Sequence, residues 1–277
     1  MATEQQVAGH YGSVGIAERV LAALRQAHGE DAAITIDALA PLDQFHSRGP
    51  LATQELVALL KPQPGELVLD IGSGIGGPAR WIAAKCGVHV TGVDLTPEFC
   101  QAAEALNRAA RLEDRVRILK GSALSLPVPD GSFDAAYSQN VVMNIADKPR
   151  FYCEAWRALR PGGRLALSNV CAGDAGEPYF PVPWATSRET SFLSTPAEMR
   201  ADLAAAGFEI VHFEDTTEAI AAQQRRNRER IERGQMPPVA ADLILGPRAR
   251  EMQRNTMKSL EEGRTRTVEA LVRKETL

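Results

Sequence analysis

The stretch VLDIGSGIGGPARWIA, at residues 68–83, decides the fold that we expect for this chain. A short apolar run is followed by four glycines within six positions, and then by an Ala-rich run. This order is typical of a buried strand, a tight turn and a helix. Because glycine has no side chain, a ligand can approach the backbone of such a turn closely. The stretch therefore predicts a ligand site where the first strand ends.

Strand and helix patterns alternate along the chain around this stretch. The predicted strands span residues 67–71, 88–94, 115–119, 132–139, 164–170 and 208–215. Helices are predicted between them over 78–86, 97–111 and 196–206, and after the capping residue Asp147. Such alternation is typical of a parallel sheet with helices on both faces. Sheets of this class bind ligands at the carboxyl ends of their strands, which is where the glycine turn lies.

The patterns on either side of this core indicate further helices. Helices are predicted over 14–26, 51–60, 217–233 and 246–262. The last stretch, RTRTVEALVR at 264–273, alternates apolar and polar residues as a strand would, although a continued helix also fits it. Both alternatives stay open for this stretch.

Composition and charge narrow the function. The 277 residues are 44% apolar and 24% charged, as in an ordinary globular protein, and the net charge of −4 argues against a general nucleic-acid binder. The four cysteines are scattered without a C-x-x-C pair, so neither a metal site nor a disulfide framework is predicted. A polar N-terminal stretch, and the lack of an apolar run of about 20 residues, predict a cytoplasmic protein without a membrane segment.

Two ligands fit the spacing of the glycine turn. Gly72, Gly74 and Gly77 satisfy the G-x-G-x-x-G pattern of dinucleotide sites, and Asp94 follows at a distance suited to ribose hydroxyls. Asp70, which precedes the first glycine by two residues, distinguishes between the ligands. Its carboxylate would repel a pyrophosphate at the helix N-terminus, but it suits S-adenosylmethionine, whose ammonium and sulfonium groups are positive. The residues therefore favour a methyl donor over a dinucleotide.

Four landmarks occur in the order and spacing of one known family. They are VLDIGSGIGG (68–77), VTGVD (90–94), GSALSLPVPDGSFDAAYSQNVVMNI (121–145) and LRPGGRLAL (159–167). Over about residues 45–215 the set resembles class I S-adenosylmethionine-dependent methyltransferases, in particular the UbiE-like branch. The stretches DQFHSRG (43–49), MNIADK (143–148) and PVPWATSRETSFLSTP (181–196) are similar to bacterial sarcosine and dimethylglycine N-methyltransferases and to natural-product O-methyltransferases.

The resemblance implies a fold and a division of the chain. The implied fold is α/β: a Rossmann-like, seven-stranded, mostly parallel sheet with helices on both faces, N-terminal helices, and a helical lid between strands six and seven. Residues 1–60 would form an N-terminal helical cap and residues 61–215 the S-adenosylmethionine-binding core. Residues 216–277 would form the lid and the last strand.

The resemblance also implies roles for residues at the strand ends. The residues expected at the methionine moiety of the donor are Asp70, Gly72, Ser73, Gly74 and Gly76. Those expected at its ribose and adenine are Asp94, Leu95, Ser122 and Ala123, and those under its sulfonium are Gln139 and Asn140. An N-terminal helix folds over the donor in these families, so Tyr11 is a candidate lid residue.

Methyl transfer is a direct displacement at carbon, so the enzyme mainly aligns the acceptor with the methyl group. An oxygen or carbon acceptor usually needs a base. His46, in a polar loop beside the expected site, is the candidate base; the alternative is a histidine that only packs or hydrogen-bonds locally. Asn144 stands near a point where many relatives carry a histidine. An amide cannot act as a base there, but it can orient an acceptor.

The expected acceptor pocket is mostly apolar, as ligand pockets usually are. Its candidate lining residues are Met143, Phe180, Trp184, Phe192 and Met236. We therefore expect a partly apolar small-molecule acceptor, and no metal, nucleic acid or membrane as a partner. Two alternatives stay open: an anionic acceptor such as an amino acid or a prenyl diphosphate, and a donor-binding scaffold without turnover. The chain would act as a monomer or a homodimer.

Overall fold

A seven-stranded sheet forms the centre of the part of the chain that the structure describes. The computed structural model describes residues 2–12, 14–31, 33–46, 48–232 and 240–276. The strands are β1 (Leu67–Ile71), β2 (His89–Asp94), β3 (Val116–Lys120), β4 (Phe133–Gln139), β5 (Leu159–Ala172), β6 (Phe208–Asp215) and β7 (Thr265–Lys274).

The strands lie in the order β3-β2-β1-β4-β5-β7-β6, and β7 runs antiparallel to both of its neighbours. The other neighbouring pairs are parallel. The expected seven-stranded, mostly parallel α/β fold is thus confirmed. The chain order reverses between β1 and β4, which is the switch point where sheets of this class bind ligands.

The C-terminal stretch is a strand, not a continued helix. Val268, Ala270 and Val272 alternate along β7 and are fully buried. They pack into the same apolar cluster as Met199 and Leu203 of the helix that precedes β6. β5 spans Leu159–Ala172 rather than the predicted residues 164–170, because β7 pairs with it as far as Ala172 and β4 pairs with it from Leu159.

Helices cover both faces and the carboxyl edge of the sheet. They are α1 (Ala2–Tyr11), α2 (Ile16–His28), α3 (Ile36–Asp43), α4 (Pro50–Leu60), α5 (Gly77–Cys86), α6 (Pro97–Ala109), α7 (Lys148–Ala158), α8 (Pro196–Ala205), α9 (Thr217–Glu232), α10 (Ala240–Leu245) and α11 (Ala249–Glu261). The helix predicted from residue 14 begins at Ile16, because Gly15 is left-handed with φ +75°. The helix predicted from residue 246 begins at Ala249, after a 3₁₀ turn at Gly246–Arg248.

Two apolar layers sandwich the sheet. On one face, Leu69 and Ile71 of β1 pack with Phe151 of α7 and Leu203 of α8. On the other face, a second layer is formed by Val68, Val90, Leu56, Ile82 and Ala103, from β1, β2, α4, α5 and α6. Because neighbouring residues of a strand point to opposite faces, the continuous apolar run of β1 serves both layers.

The N-terminal helices and α10 share a third apolar cluster. Ile16 and Val20 of α2, Leu39 of α3 and Ile244 of α10 are buried together. The Nε group of Arg19 also donates a hydrogen bond to the carbonyl of Leu243, at 3.1 Å. Helices that precede the sheet and helices between β6 and β7 therefore pack on each other.

Two kinds of feature are absent from the residues that the structure describes. None of their helices combines the length and the apolar character needed to cross a membrane. Within the same residues, no group of three or more His, Cys, Asp or Glu side chains is arranged to hold a metal ion.

Candidate functional site

The carboxyl ends of the central strands bring a row of polar residues together. Gln139 of β4 lies in register with Ser168 of β5, and Ser168 with Glu269 of β7. Asp70 pairs with Tyr137, two residues before Gln139, so its side chain points to the same face. This face and edge of the sheet contain the residues that the sequence predicts for a site.

The glycine turn after β1 is fixed by hydrogen bonds to β2. The N–H groups of Gly72 and Ser73 both donate to the carbonyl of Val93, at 2.8 and 3.1 Å. Gly72 has φ +85°, and a Cβ there would lie 2.3 Å from Cγ2 of Val141. Gly74 has φ +52°, and a Cβ there would meet no heavy atom within 4 Å. Packing inside the protein requires glycine at position 72, whereas Gly74 borders open space that a ligand can fill.

Asp94, the last residue of β2, closes the turn from the other side. Its Oδ2 accepts a hydrogen bond from the N–H of Gly74 at 2.7 Å, and its Oδ1 accepts one from the N–H of Thr96 at 2.9 Å. Burial raises the pKa of Asp94, and these two backbone donors oppose that effect. The two bonds fix the plane of the carboxylate, and each oxygen keeps the capacity to accept a second donor.

Asp70 lies buried beneath the turn. The hydroxyl of Tyr137 donates to its Oδ2 at 2.8 Å. Burial raises the pKa of Asp70 to about 7, against the lowering effect of this hydrogen bond, and the nearby Asp94 adds to the rise. Beside Asp70, the Oγ of Ser73 is buried and has no hydrogen-bond partner among the described residues. A positively charged ligand with polar groups fits this arrangement.

The residues after β2 and β3 flank the same edge. Leu95 follows Asp94 directly, and Gly76 stands at the N-cap of α5. The hydroxyl of Ser122 donates to Glu4 of α1 and accepts from the N–H of Leu124 at 3.0 Å. Ala123 packs against the neighbouring apolar core. The sequence does not point to Glu4, since the contact joins residues that lie far apart along the chain.

Gln139 and Asn140 lie at the end of β4, as predicted. Asn140 has φ +54°, and its N–H donates to the carbonyl of Ser168 at 2.8 Å. Left-handed backbone is uncommon for residues other than glycine and is found at sites where the chain must turn sharply. The side chain of Gln139 turns toward α4, where its Oε1 lies 3.4 Å from the hydroxyl of Thr53.

Helix α1 crosses this edge and brings Tyr11 into it. The Tyr11 ring lies 5.6 Å from the ring of Phe99 and 6.2 Å from that of Phe45, between centroids. Its hydroxyl donates to Oδ1 of Asn144 at 3.1 Å. Burial raises the pKa of Tyr11, and the charge of Asp94 raises it further. The predicted lid residue therefore lies close to Asp94, one of the predicted donor residues.

Asn144 holds the segment that follows residue 183. Its Nδ2 donates to the carbonyl of Trp184 at 2.7 Å and to the carbonyl of Thr190 at 3.2 Å, while its Oδ1 accepts from Tyr11. Both protons of the amide are used within the protein. The sequence suggests that Asn144 contacts and orients an acceptor. This geometry instead favours a role in positioning the wall of the site.

The predicted acceptor residues come together beside Asn144. Met143 and Trp184 are buried with Val182 and Ala185, and Phe180 packs against them. Phe192 joins the same wall, because its N–H donates to the carbonyl of Met143 at 2.8 Å. Met236 lies outside the described residues. Between α1 and residues 186–190 there is an open groove of about 570 Å³.

His46 lies in the loop between α3 and α4, close to Gln139. Its Nε2 is 3.2 Å from Oγ1 of Thr53, and the same hydroxyl is 2.7 Å from Oε1 of Gln44. The next described residue, Arg48, interacts with Glu55 of α4, Gln223 of α9 and Glu269 of β7. The structure thus places the candidate base beside a predicted donor residue.

A buried ion pair beneath the glycine turn was not predicted. Arg80 of α5 is fully buried, and its Nη2 donates to Oδ2 of Asp43 at 2.9 Å and to the carbonyl of Ile75 at 2.7 Å. Its Nη1 donates to Oδ1 of Asn107 at 2.9 Å. The sequence around Arg80 does not indicate a buried ion pair, because its side-chain partners lie on two other helices, α3 and α6.

Comparison with known proteins places the central part of the chain in one domain family. Residues 69–167 match a family model described as "Methyltransferase domain". The match runs from β1 into β5 and includes Asp70, the glycine turn and Asp94.

Two curated relatives are similar over about two thirds of this chain. Phosphoethanolamine N-methyltransferase 1 of Arabidopsis thaliana is 32% identical over 192 residues, which are 68% of this chain and 38% of that protein. The glycine/sarcosine/dimethylglycine N-methyltransferase of Actinopolyspora halophila is 28% identical over 192 residues, 69% of this chain and 34% of that protein. The chain thus spans well under half the length of these relatives.

A solved structure shares the fold along nearly the whole chain. The geranyl diphosphate C-methyltransferase from Streptomyces coelicolor A3(2) superposes with a TM-score of 0.71, over 99% of this chain and 98% of that chain, at 18% identity. At this identity the likeness concerns the fold alone, and it agrees with the seven-stranded architecture described above.

Proposed function

We propose that this chain, which belongs by domain family and fold to the class I S-adenosylmethionine-dependent methyltransferases, transfers a methyl group from S-adenosylmethionine to a small-molecule acceptor. One observation carries the proposal: two buried carboxyl groups, Asp70 and Asp94, flank a glycine turn whose Gly74 borders open space. When bound, S-adenosylmethionine supplies a methyl group whose carbon–sulfur bond breaks with both electrons staying on sulfur.

The proposed donor site consists of the residues expected from the sequence. They are Tyr11, Asp70, Gly72, Ser73, Gly74, Gly76, Asp94, Leu95, Ser122, Ala123, Gln139 and Asn140. Asp70 would attract the positive charge of the donor, and the remaining acceptor capacity of Asp94 suits two ribose hydroxyls. Gly72 would act by shaping the turn, since packing on Val141 already requires glycine there.

The proposed acceptor site lies next to the donor site, along the wall of Met143, Phe180, Trp184 and Phe192. The apolar cluster of Met143, Phe180 and Trp184 supports a partly apolar acceptor, and the groove between α1 and residues 186–190 is lined by Thr190, whose carbonyl accepts from Asn144. Asn144 would keep this wall in place through its bonds to Trp184 and Thr190. Met236 stays a prediction of the sequence.

The chemical task of the chain is alignment, exclusion of water and the handling of one proton. When an oxygen or carbon acceptor is methylated, the proton that it loses would pass to the imidazole of His46. His46 then returns this proton to water. An acceptor that binds as a neutral amine would attack through its free lone pair, and the ammonium formed by methylation would then release a proton, so it would depend less on the base.

Four further points raised by the sequence receive less support. For an anionic acceptor, Arg48 is a nearby buried cation, but it already faces the carboxylates of Glu55 and Glu269. The cytoplasmic location and the monomeric or homodimeric state stay predictions. The division at residues 60 and 215 into cap, core and lid also stays a proposal; the packing of α2 and α3 on α10 supports a single helical cover made of cap and lid.

Two measurements test the proposed function. Titration calorimetry with S-adenosylmethionine is expected to show one site per chain. A coupled assay then measures S-adenosylhomocysteine with a phenol, an amino acid or a prenyl diphosphate as the acceptor. Turnover is expected with the phenol, which is the partly apolar and uncharged acceptor of the three. Binding without turnover on any acceptor would favour the scaffold alternative, and the absence of binding would contradict the proposal.

A further inference from the structure

Arg80 of α5 uses all of its hydrogen-bond donors inside the protein. Its side chain is fully buried. Nε and Nη2 donate to Oδ2 of Asp43 at 3.2 and 2.9 Å, and Nη2 also donates to the carbonyl of Ile75 at 2.7 Å. Nη1 donates to Oδ1 of Asn107 at 2.9 Å and to the carbonyl of Ala103 at 3.3 Å. Because a guanidinium has five N–H groups, none is left for a ligand.

These contacts join the glycine turn to two helices. Ile75 belongs to the turn, Asp43 is the last residue of α3 and Asn107 lies in α6. The amide of Asn107 is itself fixed, because its Nδ2 donates to the carbonyl of Val116 at 3.0 Å. The turn therefore has a second attachment through Arg80, in addition to its hydrogen bonds to β2.

The end of α3 lies directly against the turn. A Cβ on Gly77 would be 2.2 Å from the carbonyl oxygen of Asp43 and 2.8 Å from its Oδ1. The side chain of Ile75 is buried in the same apolar cluster as Leu39 of α3. Gly77 completes the G-x-G-x-x-G pattern, yet packing on α3 is enough to require a glycine there.

We propose that Arg80 is a positioning residue for the donor site, which holds the glycine turn in its binding shape before a donor arrives. The guanidinium holds the carbonyl of Ile75 inward, while Gly74 of the same turn borders open space. Asp43 balances the charge of Arg80, so the attachment places no net charge beside a positively charged donor. The proposal rests on the proposed function for the identity of the ligand, whereas the shape of the turn is a property of the free protein.

A double variant separates positioning from stability. Replacing a buried ion pair by apolar residues of similar size is often neutral or stabilising, whereas removing one partner leaves a buried charge. Asp43→Leu combined with Arg80→Met therefore removes the attachment and keeps the net charge of the pair at zero. If the pair only supported the fold, this double variant would keep the wild-type turn and the wild-type donor affinity.

The first test measures amide hydrogen exchange by NMR in the free protein. The N–H of Gly76 donates to the carbonyl of Ser73 at 2.9 Å, so we expect it to be protected in wild type without a ligand. In the double variant it should exchange at least about tenfold faster, as the loss of a hydrogen bond from a charged group implies. Arg164→Lys is the matched control, because Arg164 also joins a carboxylate, that of Glu66, to the carbonyl of Leu60, but beside the amino end of β1.

The second test titrates S-adenosylhomocysteine by calorimetry. The double variant is expected to have a Kd about tenfold higher than wild type, for the same reason. Arg80→Lys should lie between the two, since a lysine keeps the charge opposite Asp43 but cannot reach Asn107 and Ile75 together. Arg164→Lys should keep the wild-type Kd.

Two results would overturn the proposal. One is a wild-type N–H of Gly76 that is unprotected until S-adenosylhomocysteine is added, a measurement that holds even if the double variant does not fold. The other is a folded double variant with either the wild-type exchange rate at Gly76 or the wild-type Kd. Failure of the proposed function is distinguishable, since it would show as a wild-type protein in which Gly76 is protected but S-adenosylhomocysteine does not bind.

Discussion

The hydroxyl of Tyr137 donates a hydrogen bond to Oδ2 of Asp70 across 2.8 Å, beneath the glycine turn. Both side chains are buried, and the pKa of Asp70 is raised to about 7 because burial disfavours its charged form. Asp94 raises the pKa further by repulsion. A cation placed at the turn would oppose both effects. Asp70 is therefore a carboxyl group whose ionisation should be coupled to the binding of a positively charged ligand.

The affinity for S-adenosylmethionine should fall with decreasing pH. Below about pH 7 the carboxyl group of Asp70 is protonated in the free protein. Because the positive donor favours its ionised form, binding must release a proton there, and the Kd should rise by up to about tenfold per pH unit. Calorimetry in two buffers of different ionisation enthalpy measures both the Kd and the proton released.

Two comparisons control this titration. Asp70→Asn should bind the donor more weakly at pH 8 (about one unit above the pKa) but with little dependence on pH. S-adenosylhomocysteine lacks the sulfonium charge, so its affinity should depend on pH less steeply than that of the donor. A Kd for the donor that does not change with pH in wild type would remove Asp70 from the site.

The stability of the free protein should fall as pH rises toward 7. The folded pKa of Asp70, about 7, is above its ordinary value of 3.8. Its stabilising contribution is therefore fully present below the unfolded pKa and is lost as pH rises through the folded pKa, by a few kcal/mol in total. Urea unfolding of wild type and Asp70→Asn over this range should show a smaller decline in the variant. Equal declines of the unfolding free energy in the two proteins would contradict the raised pKa of Asp70.

Two glycines of the turn should respond differently to alanine. Gly72→Ala should destabilise the fold by roughly 2–4 kcal/mol, since the new Cβ would overlap Val141 at an unfavourable φ. Gly74→Ala should cost about 1 kcal/mol of stability, because only its φ is unfavourable. Its methyl group would instead enter the open space at the turn and weaken donor binding. Thermal unfolding with calorimetry separates the two effects, and a Gly74→Ala protein with normal donor affinity would argue against a donor at this position.

Tyr11→Phe should loosen the closure of α1 over the site. The variant loses the hydrogen bond to Asn144 and keeps the ring contacts with Phe45 and Phe99. Donor affinity is expected to fall roughly fivefold, as the loss of one hydrogen bond implies. Tyr179→Phe is a matched control, because it removes an exposed hydrogen bond to Glu262 elsewhere. Equal affinities in both variants would mean that α1 does not act as a lid.

Local patterns explain why much of the fold and of the donor site could be predicted from the sequence. The glycine turn must lie between β1 and α5, and the ends of parallel strands meet at one edge. These two constraints are enough to bring Asp70 and Asp94 together. The alternation of Val268, Ala270 and Val272 also pointed to β7, although only its pairing with β5 and β6 excludes a helix.

Contacts between distant parts of the chain could not be predicted in the same way. Tyr137 of β4 hydrogen-bonds to Asp70, and Thr53 of α4 lies within hydrogen-bond distance of His46. The sequence does not specify how this strand and this helix are placed against the site. Asn144 could be singled out, but its bonds to Tyr11 and Trp184 depend on where α1 and the segment after residue 183 fold back. Each role depends on three-dimensional packing, which a pattern of residue types does not encode locally.

Calorimetric titration of S-adenosylhomocysteine into wild type and Asp94→Ala tests the central claim most directly. The variant lacks the carboxylate that fixes Gly74 and Thr96 and that would accept the ribose hydroxyls. We predict that Asp94→Ala has a Kd at least about tenfold higher than wild type, since hydrogen bonds to a charged group are strong. Asp114→Ala, at an exposed position, is the control and should keep the wild-type Kd. Circular dichroism checks that both variants are folded. A folded Asp94→Ala protein with the wild-type Kd would contradict the account.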